Sequence, residues 1–202
     1  HALGDNRTAV LLSGGSENAL KIGANEYRIT AKLKDKLLIE KSVKKLRDNN
    51  FTNIYIIARH KILTQIFSLL KDGSSYGVKI NYIEEKKSNG TAESLRLLKG
   101  MISSNFLVVY GDILFSKINI DALWEEHIKH KSMATLMLTT SPTPNKKGIV
   151  RMEGNRILQF IQKPQKSDIY IGFSSIFAAE PEILNYTGDS LEYDVFPDLA
   201  NK

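Results

Sequence analysis

Residues 8–15 read TAVLLSGG, a mostly apolar run of five residues followed by a serine and two glycines. A continuous run of this kind is typical of a strand that is buried on both faces of a parallel sheet. Gly14 and Gly15 would let the backbone approach a ligand closely, and successive N–H groups in such a turn can bind an anion. Many strands end in a glycine turn that binds nothing, so this segment alone supports either interpretation.

Outward from this strand, short apolar runs alternate with helical patterns through the first half of the chain. The predicted strands are residues 8–12, 53–58, 78–83 and 106–110. The predicted helices are residues 37–48, 62–70 and 90 to about 101. Strands and helices in alternation predict a parallel sheet with helices on both faces. Such a sheet binds its ligands at the carboxyl ends of the strands.

The second half of the chain has a different rhythm, because one predicted helix is followed by closely spaced strands. The helix lies near residues 120–129, and the strands are residues 133–139, 148–152, 156–161 and 170–178. Residues 153–155, Glu-Gly-Asn, are predicted to form a hairpin turn between two of these strands. We therefore predict an α/β domain with a Rossmann-like, mostly parallel sheet, flanked by helices and extended by an antiparallel β addition.

Composition narrows the class of protein. The chain has 202 residues, a net charge of +6 and no cysteine, which excludes a disulfide framework, a thiolate zinc site and a cysteine nucleophile. It has no apolar run of the roughly 20 residues that a membrane span needs and no visible signal peptide, so we expect a cytoplasmic protein. Residues 8–202 are predicted to form the domain, and residues 1–7 to be the remnant of a tag or the end of an upstream segment.

The positive charge is densest between Lys32 and Arg47, where basic residues alternate with apolar ones at helical spacing from Lys36 onward. This spacing predicts the solvated face of an amphipathic helix. The sequence has no zinc-finger spacing, no aromatic RNA-binding signature and no basic tail. We therefore expect no nucleic-acid partner.

Three further segments could carry chemistry, and each also has an ordinary structural interpretation. Gly111-Asp112 follows the most hydrophobic predicted strand, where an aspartate can hold a divalent cation or cap the next turn. Glu192-Tyr193-Asp194 is an acidic segment near the chain end that is also typical of a helix start. Gln162-Lys163-Pro164 follows a strand, and its lysine could bind phosphate as a point charge or simply be solvated.

In their order along the chain, these segments resemble the signature motifs of the sugar-phosphate nucleotidylyltransferases, the nucleotide-sugar pyrophosphorylase family. The resemblance runs from Thr8 to about Leu199. The matching segments, each followed by the family's form, are Gly14–Leu20 (GGxGTRL), Lys36–Glu40 (KPLIE), Tyr76–Ile80 (FGVKI), Asn89–Leu95 (LGTAxAL), Gly111-Asp112 (GD), Lys147–Val150 (YGVV), Gln162–Pro164 (EKP), Glu180–Leu184 (EPEIL) and Glu192–Leu199 (EKDVFPKL). Each segment matches its motif only loosely, but all of them follow the family's order along the chain, which argues against coincidence.

The resemblance implies a fold of the nucleotide-diphospho-sugar transferase type and a specific reaction. In that reaction a sugar-1-phosphate attacks the α-phosphate of a nucleoside triphosphate, and pyrophosphate leaves. The resemblance implies a Mg²⁺ ion bound by Asp112 and Asp194, with Asp112, Arg28 and Lys163 as the catalytic residues. It implies nucleotide contacts from Leu12, Ser13, Gly14, Gly15, Gly90 and Thr91, and sugar-phosphate contacts from Gly148, Gln162 and Lys163.

The chain departs from the family pattern at the loop that would grip the triphosphate. The arginine of the GTR motif falls on Ala19, and the glycine before it falls on Glu17. The lysine of a PK segment falls on Arg28 after a single deletion, and the glutamate of EKP is Gln162. An active-site arginine is commonly worth about 10³-fold in rate, so these changes weigh against efficient turnover.

Three interpretations of the function therefore stay open. The first is a working nucleotidylyltransferase with a nucleoside triphosphate and a sugar-1-phosphate as partners. The second is a catalytically impaired homologue that binds a nucleotide or nucleotide sugar as a regulatory or structural module. The third is a structural domain of a larger assembly, either a homo-oligomer or a longer multidomain chain. The sequence does not identify the base or the sugar.

Overall fold

The computed structural model describes residues 6–13, 32–33, 36–87, 90–111, 118–141, 149–153, 156–161 and 170–200. The strands are β1 (Arg7–Leu12), β2 (Lys32–Leu33), β3 (Lys36–Leu37), β4 (Phe51–Ala58), β5 (Lys79–Glu84), β6 (Phe106–Tyr110), β7 (Ala134–Ser141), β8 (Ile149–Glu153), β9 (Arg156–Ile161) and β10 (Tyr170–Ala179). The α-helices are α1 (Leu38–Asp48), α2 (His60–Leu70), α3 (Thr91–Arg96), α4 (Ile120–His130) and α5 (Phe196–Ala200). Two 3₁₀ turns cover Ser74–Tyr76 and Pro181–Asn185, and a π-helical turn covers Leu191–Val195. Across these ranges, every helix is too short or too polar to cross a bilayer.

Eight of the strands in the described ranges form one mixed sheet, in the order β5-β4-β1-β6-β10-β8-β9 with β7 paired to β10. The strands β5, β4, β1 and β6 are parallel to one another. The strand β10 is antiparallel to β6, β7 and β8, and β8 is antiparallel to β9 with Glu153 opposite Arg156. The predicted α/β architecture with an antiparallel addition is thus confirmed, and the addition contributes as many strands as the parallel part.

Both faces of the central strand β1 are buried. Ala9 and Leu11 belong to a hydrophobic core that includes residues of α1, α2 and α4. Val10 and Leu12 point to the opposite face, into a core that includes residues of α3, the 3₁₀ turn at residues 181–185 and the π-helical turn. This two-sided burial explains why the strand is a continuous apolar run rather than an alternating one.

The predicted helix from residue 90 to about residue 101 is wrong in its length, because α3 ends at Arg96. Beyond it, the N–H groups of Leu98, Lys99 and Met101 each bond to the carbonyl three residues earlier, which tightens the backbone into consecutive turns. Gly100 has a φ of +86°, which ends any continuation of a right-handed helix. The apolar spacing continues past the helix because buried turns also need apolar residues.

The predicted start of the domain at residue 8 stays a prediction, and Arg7, directly before it, already belongs to the folded sheet. Arg7 is the first residue of β1 and only 7% exposed. Its Nη1 lies 2.5 Å from Oδ1 of Asp121 in α4 and 3.4 Å from the carbonyl of Asn49. These partners let the folded domain bury the guanidinium.

Candidate functional site

The predicted nucleotide-binding residues Leu12 and Ser13 lie at the point where β1 ends, and both are buried. The N–H of Ser13 donates to the carbonyl of Ile57 near the end of β4, at 3.0 Å. The N–H of Gly111, directly after β6, donates to the carbonyl of Leu12 at 2.9 Å. The ends of β1, β4 and β6 therefore form one edge, which is the edge where α/β sheets bind their ligands.

The predicted nucleotide-contacting residues Gly90 and Thr91 begin α3 and pack against the loop that precedes the π-helical turn. Gly90 has a φ of +150°, and a Cβ atom there would collide with the carbonyl oxygen of Asp189. The same carbonyl accepts hydrogen bonds from the N–H groups of Ala92 at 2.8 Å and Glu93 at 3.2 Å. Glycine at position 90 thus allows the first turn of α3 to close on Asp189.

A buried carboxylate, that of Glu192, connects this turn to the end of β6. Glu192 is 6% exposed. Its Oε2 accepts hydrogen bonds from the hydroxyls of Thr91 at 2.9 Å and Ser190 at 3.2 Å, and its Oε1 accepts a short hydrogen bond from the hydroxyl of Tyr110. The hydroxyl oxygen of Thr91 also accepts from the N–H of Leu191 at 2.8 Å. Three hydroxyl donors offset the cost of burying the carboxylate.

Asp194, a predicted magnesium ligand, is exposed and contacts the backbone just before its own turn. Its Oδ2 accepts hydrogen bonds from the N–H groups of Asp189 and Ser190, each at 3.0 Å. Gly188 has a φ of +109°, and a Cβ atom there would collide with the Asp194 side chain. The Ser190 hydroxyl accepts from the N–H of Tyr193 at 3.0 Å, so residues 190–194 also form the helix start that their sequence permits.

The second predicted ligand, Asp112, lies outside the described residues, so its pairing with Asp194 stays a prediction. The segments on either side do meet, because the hydroxyl of Tyr110 bonds to the carboxylate of Glu192. Among the residues that the structure describes, no three His, Asp or Glu side chains are grouped as a metal site requires. The remaining predicted site residues outside the described ranges are Gly14, Gly15, Arg28, Gly148, Gln162 and Lys163.

The predicted sugar-phosphate residues have described neighbours that face each other. Gly148 directly precedes β8, and Gln162 directly follows β9. Ile149 and Ile161, the strand residues next to them, are paired in the antiparallel register. Ile149 is also opposite Gly172 of β10. The residues next to the two motifs are therefore paired, and the sugar-phosphate roles of Gly148 and Gln162 stay predictions.

Glu85, Ser94 and Glu192 are buried polar residues at this edge, and of these Glu85 lies outside the sequence motifs. Glu85 directly follows β5 and is 2% exposed, and its N–H donates to the carbonyl of Ala58 at 2.9 Å. The hydroxyl of Ser94 makes a short hydrogen bond to Glu85 Oε1 and lies 3.0 Å from the carbonyl of Gly90. Glu85 is the second residue after the predicted strand 78–83, in a polar stretch, and burial cannot be deduced from that position.

His127 is a core histidine. Its Nδ1 lies 2.8 Å from the hydroxyl of Thr135, and its Nε2 lies 2.9 Å from Oδ1 of Asn105. Burial lowers the pKa of His127 below its usual value of 6.5. These contacts fit a neutral imidazole that donates from Nε2 and accepts at Nδ1.

A groove of about 730 Å³ lies between α4, β7, β9 and α5. Its β7 wall runs from Ala134, which is opposite Ala179 of β10, to Leu138, which is opposite Phe173. Its α5 wall includes Phe196, whose ring packs edge-to-face on that of Phe173.

Comparison with known proteins identifies relatives of the chain. Residues 8–195 match the family described as nucleotidyl transferase. The chain is 28% identical over 180 residues to the low-salt glycan biosynthesis nucleotidyltransferase Agl11 of Haloferax volcanii, a match that covers 87% of this chain and 50% of that protein. It is 31% identical over 134 residues to the mannose-1-phosphate guanylyltransferase catalytic subunit beta of Dictyostelium discoideum, across 61% of this chain and 36% of that protein.

The fold has a close counterpart among solved structures. A Bacillus anthracis protein, provisionally named a glucose-1-phosphate thymidylyltransferase and solved in complex with a sucrose, matches with a TM-score of 0.80 at 23% identity. The match covers 89% of this chain and 73% of that one. The chain spans half or less of the length of the two curated relatives above. Because the family match extends from residue 8 to residue 195, the chain belongs to the nucleotidyl transferase family.

Proposed function

We propose that this chain carries the catalytic domain of a sugar-phosphate nucleotidylyltransferase. Such an enzyme joins a nucleoside triphosphate and a sugar-1-phosphate into a nucleotide sugar and releases pyrophosphate. The observation that carries the proposal is the junction of Thr91, Tyr110 and Glu192, which brings a predicted nucleotide-contacting turn to the ligand-binding edge of the sheet. The names of the Dictyostelium and Bacillus relatives, which both specify a sugar-1-phosphate, support the choice of substrate.

In the proposed reaction, a phosphate oxygen of the sugar-1-phosphate attacks the α-phosphorus of the triphosphate. The bond from that phosphorus to the oxygen it shares with the β-phosphate breaks, and pyrophosphate leaves with the electron pair. Both reactants are anions, so the protein contributes mainly by positioning them and neutralising their charge. We assign Lys163 to the sugar phosphate and Arg28 to the triphosphate, with Gly148 and Gln162 lining the sugar-phosphate subsite. Leu12–Gly15 and Gly90–Thr91 are assigned to the nucleotide.

Magnesium is part of this proposal, with Asp112 and Asp194 as the residues that would hold it. Carboxylates are the protein ligands that Mg²⁺ prefers, and it needs few of them when phosphates and waters complete its shell. Two backbone N–H groups hold the Asp194 carboxylate in one orientation, which is compatible with a ligand role. When bound, the ion would supply charge neutralisation at the phosphate oxygens. A cytoplasmic location belongs to the same proposal.

The direct test is pyrophosphate release from a panel of nucleoside triphosphates and sugar-1-phosphates in the presence of Mg²⁺. We expect at least one pair to give release above that of an Asp112→Ala variant. If no pair gives release above that control, the chain is not a transferase under these conditions. The panel also identifies the base and the sugar.

The departures at Glu17 and Ala19 favour a second candidate, an impaired homologue that binds nucleotide or nucleotide sugar without turnover. Calorimetry with nucleotides and nucleotide sugars tests binding separately from catalysis. If the residues at positions 17 and 19 alone cause the impairment, the double variant Glu17→Gly with Ala19→Arg should release pyrophosphate about 10³-fold faster. The absence of both binding and turnover would exclude both candidates.

A further inference from the structure

Glu192 joins two parts of the molecule that the proposed function places on different components of the reaction. One part is the turn that begins α3, which is assigned to the nucleotide and bonds to Glu192 through the hydroxyl of Thr91. The other is the end of β6, which bonds to Glu192 through the hydroxyl of Tyr110 and leads directly into Asp112. The Glu192 carboxylate therefore contacts both the turn that begins α3 and the end of β6.

The turn is bound to the segment around Glu192 as a unit. The Thr91 hydroxyl donates to Glu192 and accepts from the N–H of Leu191, and the carbonyl of Asp189 accepts from the N–H groups of Ala92 and Glu93. These bonds run in both directions between α3 and residues 189–192. A shift of Glu192 relative to Tyr110 would therefore move the turn with it.

The hydrogen bonds of this junction favour a carboxylate. Three hydroxyls, those of Thr91, Tyr110 and Ser190, all lie within hydrogen-bond distance of Glu192 oxygens and donate to them. An ionised carboxylate only accepts, whereas the amide of glutamine would turn an N–H₂ group toward at least one of these hydroxyls. Glutamine has the same shape, so it tests the hydrogen bonds while keeping the packing.

We propose that Glu192 is a positioning residue that fixes the nucleotide-contacting turn Gly90–Thr91 relative to the end of β6. Its carboxylate sets this spacing by accepting the hydroxyl hydrogen bonds of Thr91 and Tyr110 together. Glu192 itself contacts neither the substrates nor the reacting atoms. The inference rests on the proposed function, because it assigns the turn to the nucleotide.

The test compares Glu192→Gln and Tyr110→Phe with the unsubstituted chain. Tyr110→Phe removes one hydroxyl and keeps the edge-to-face contact of its ring with Phe173. The readouts are the KM for each substrate, kcat, the Kd for the best-bound of ATP, CTP, GTP, UTP and dTTP with Mg²⁺ by calorimetry, and the melting temperature. Glu126→Gln is the matched control, because this exposed residue of α4 bonds to His130 at 2.9 Å, away from the site.

We expect Glu192→Gln to raise the triphosphate KM and Kd about tenfold, which corresponds to 1.4 kcal/mol of lost binding. Tyr110→Phe should raise the triphosphate KM and Kd by a smaller factor. The double variant Glu192→Gln with Tyr110→Phe should raise them little beyond Glu192→Gln alone, because both substitutions disrupt the same group of hydrogen bonds. The KM for the sugar phosphate should stay within about twofold, and Glu126→Gln should change neither constant. A purely structural role would instead lower the melting temperature and the active fraction while leaving the nucleotide constants unchanged.

The outcomes separate this inference from the proposed function. If the unsubstituted chain neither binds a nucleotide nor turns over, the proposed function fails and the inference fails with it. If the unsubstituted chain binds nucleotide and Glu192→Gln binds it equally well, the inference alone is overturned. If Glu192→Gln does not fold, Tyr110→Phe decides the question, and an unchanged nucleotide Kd in that variant also overturns the inference.

Discussion

Charged side chains are buried at both ends of the parallel strands, and two of them, Arg7 and Glu192, are held in different ways. Arg7, at the start of β1, is paired with Asp121 of α4 at 2.5 Å. Its guanidinium carbon also lies 5.7 Å from the ring centre of Phe51 and 5.8 Å from that of Trp124. Glu192, beside the end of β6, accepts hydrogen bonds from hydroxyl groups.

The difference shows that a buried charge does not by itself mark a functional site. The partners of Arg7 include two half-exposed acids of α4, the carbonyl of Asn49 and two core rings, so its role is to close the sheet against α4. Two of the partners of Glu192 are a predicted nucleotide residue and the strand end that leads to Asp112. We infer that changes at the Arg7 end affect stability, and that changes at the Glu192 end affect substrate binding as well.

The largest effect is expected from Gly90→Ala at the Glu192 end. A Cβ atom at position 90 meets the Asp189 carbonyl, and the φ of +150° is one that alanine rarely adopts. Steric overlap and backbone strain together should cost about 3 kcal/mol or more in the free energy of unfolding. Because the turn must move, the triphosphate KM should also rise. Urea unfolding and steady-state kinetics measure the two effects.

Gly100→Ala is the matched control for this prediction. Gly100 also has a positive φ, +86°, but an added Cβ atom there meets no heavy atom within 4 Å. Backbone strain alone should cost about 1–2 kcal/mol, with no change in KM. Equal losses of stability in the two variants would show that contact with Asp189 is unimportant.

Arg7→Ala should produce the next largest effect, confined to stability. It removes the ion pairs with Asp121 and Glu125 and the contacts with Phe51 and Trp124, and it leaves a void in a buried position. We expect a loss of about 2–3 kcal/mol in the free energy of unfolding. The KM values of the folded fraction should not change. An altered triphosphate KM would contradict the inference that changes at the Arg7 end of the strands affect stability alone.

Arg47→Ala provides the reference for a more exposed arginine. Arg47 bonds to Asp48 at 3.0 Å and to the carbonyl of Tyr76 at 3.3 Å, and surface ion pairs of this kind contribute about 0–1 kcal/mol. A loss for Arg7→Ala no larger than that for Arg47→Ala would show that burial of the Arg7 guanidinium adds nothing.

The sequence predicts the parallel strands well because their burial is visible in local composition. Leu107 and Val109 face one core and Val108 faces the other, so FLVVY is apolar throughout and unmistakable as a buried strand. The length of α3 is predicted poorly, because the change from helix to consecutive turns after Arg96 leaves the apolar spacing intact. Local patterns thus report burial better than they report backbone geometry.

The candidate site is only partly predictable for a different reason. Glu192 bonds to residues 82 and 101 positions away in the sequence, and no local pattern carries that pairing. The motif resemblance predicts a role for Asp194, whose described side-chain contacts are with backbone N–H groups four and five residues earlier, at Ser190 and Asp189. A motif locates a functional segment, but the folded sheet determines which of its carboxylates points inward.

A smaller effect, in pH dependence, is expected at the Arg7 end from His127. Burial lowers the pKa of His127 from 6.5, so the unfolded chain binds its proton at a higher pH than the folded chain does. The stabilising contribution is therefore complete above about pH 6.5 and is lost as the pH falls toward the folded-state pKa. Urea unfolding of the unsubstituted chain and of His127→Gln, at about pH 7.5 and about pH 5.5, measures this difference.

We expect the free energy of unfolding to fall less steeply between these two pH values in His127→Gln than in the unsubstituted chain. The nucleotide Kd, measured where both proteins are folded, should be the same for both, because His127 bonds to Asn105 and Thr135 rather than to the site edge. An identical pH dependence of unfolding in the two proteins would contradict the assignment of a neutral, buried imidazole.

The smallest expected effect is a gain in stability at the end of α4. Lys131 has a φ of 53° and a ψ of 36°, in the left-handed region, and its N–H donates to the carbonyl of His127 at 3.0 Å. Glycine adopts this conformation without the strain that a Cβ atom causes, so Lys131→Gly should raise the free energy of unfolding by about 0.5–1 kcal/mol. Lys129→Gly, two residues earlier and inside the helix, should lower it by about 1 kcal/mol. Both variants remove one exposed lysine. Changes of opposite sign in the free energy of unfolding would show that backbone conformation determines the effect. Losses of equal size would show that the lost charge determines it.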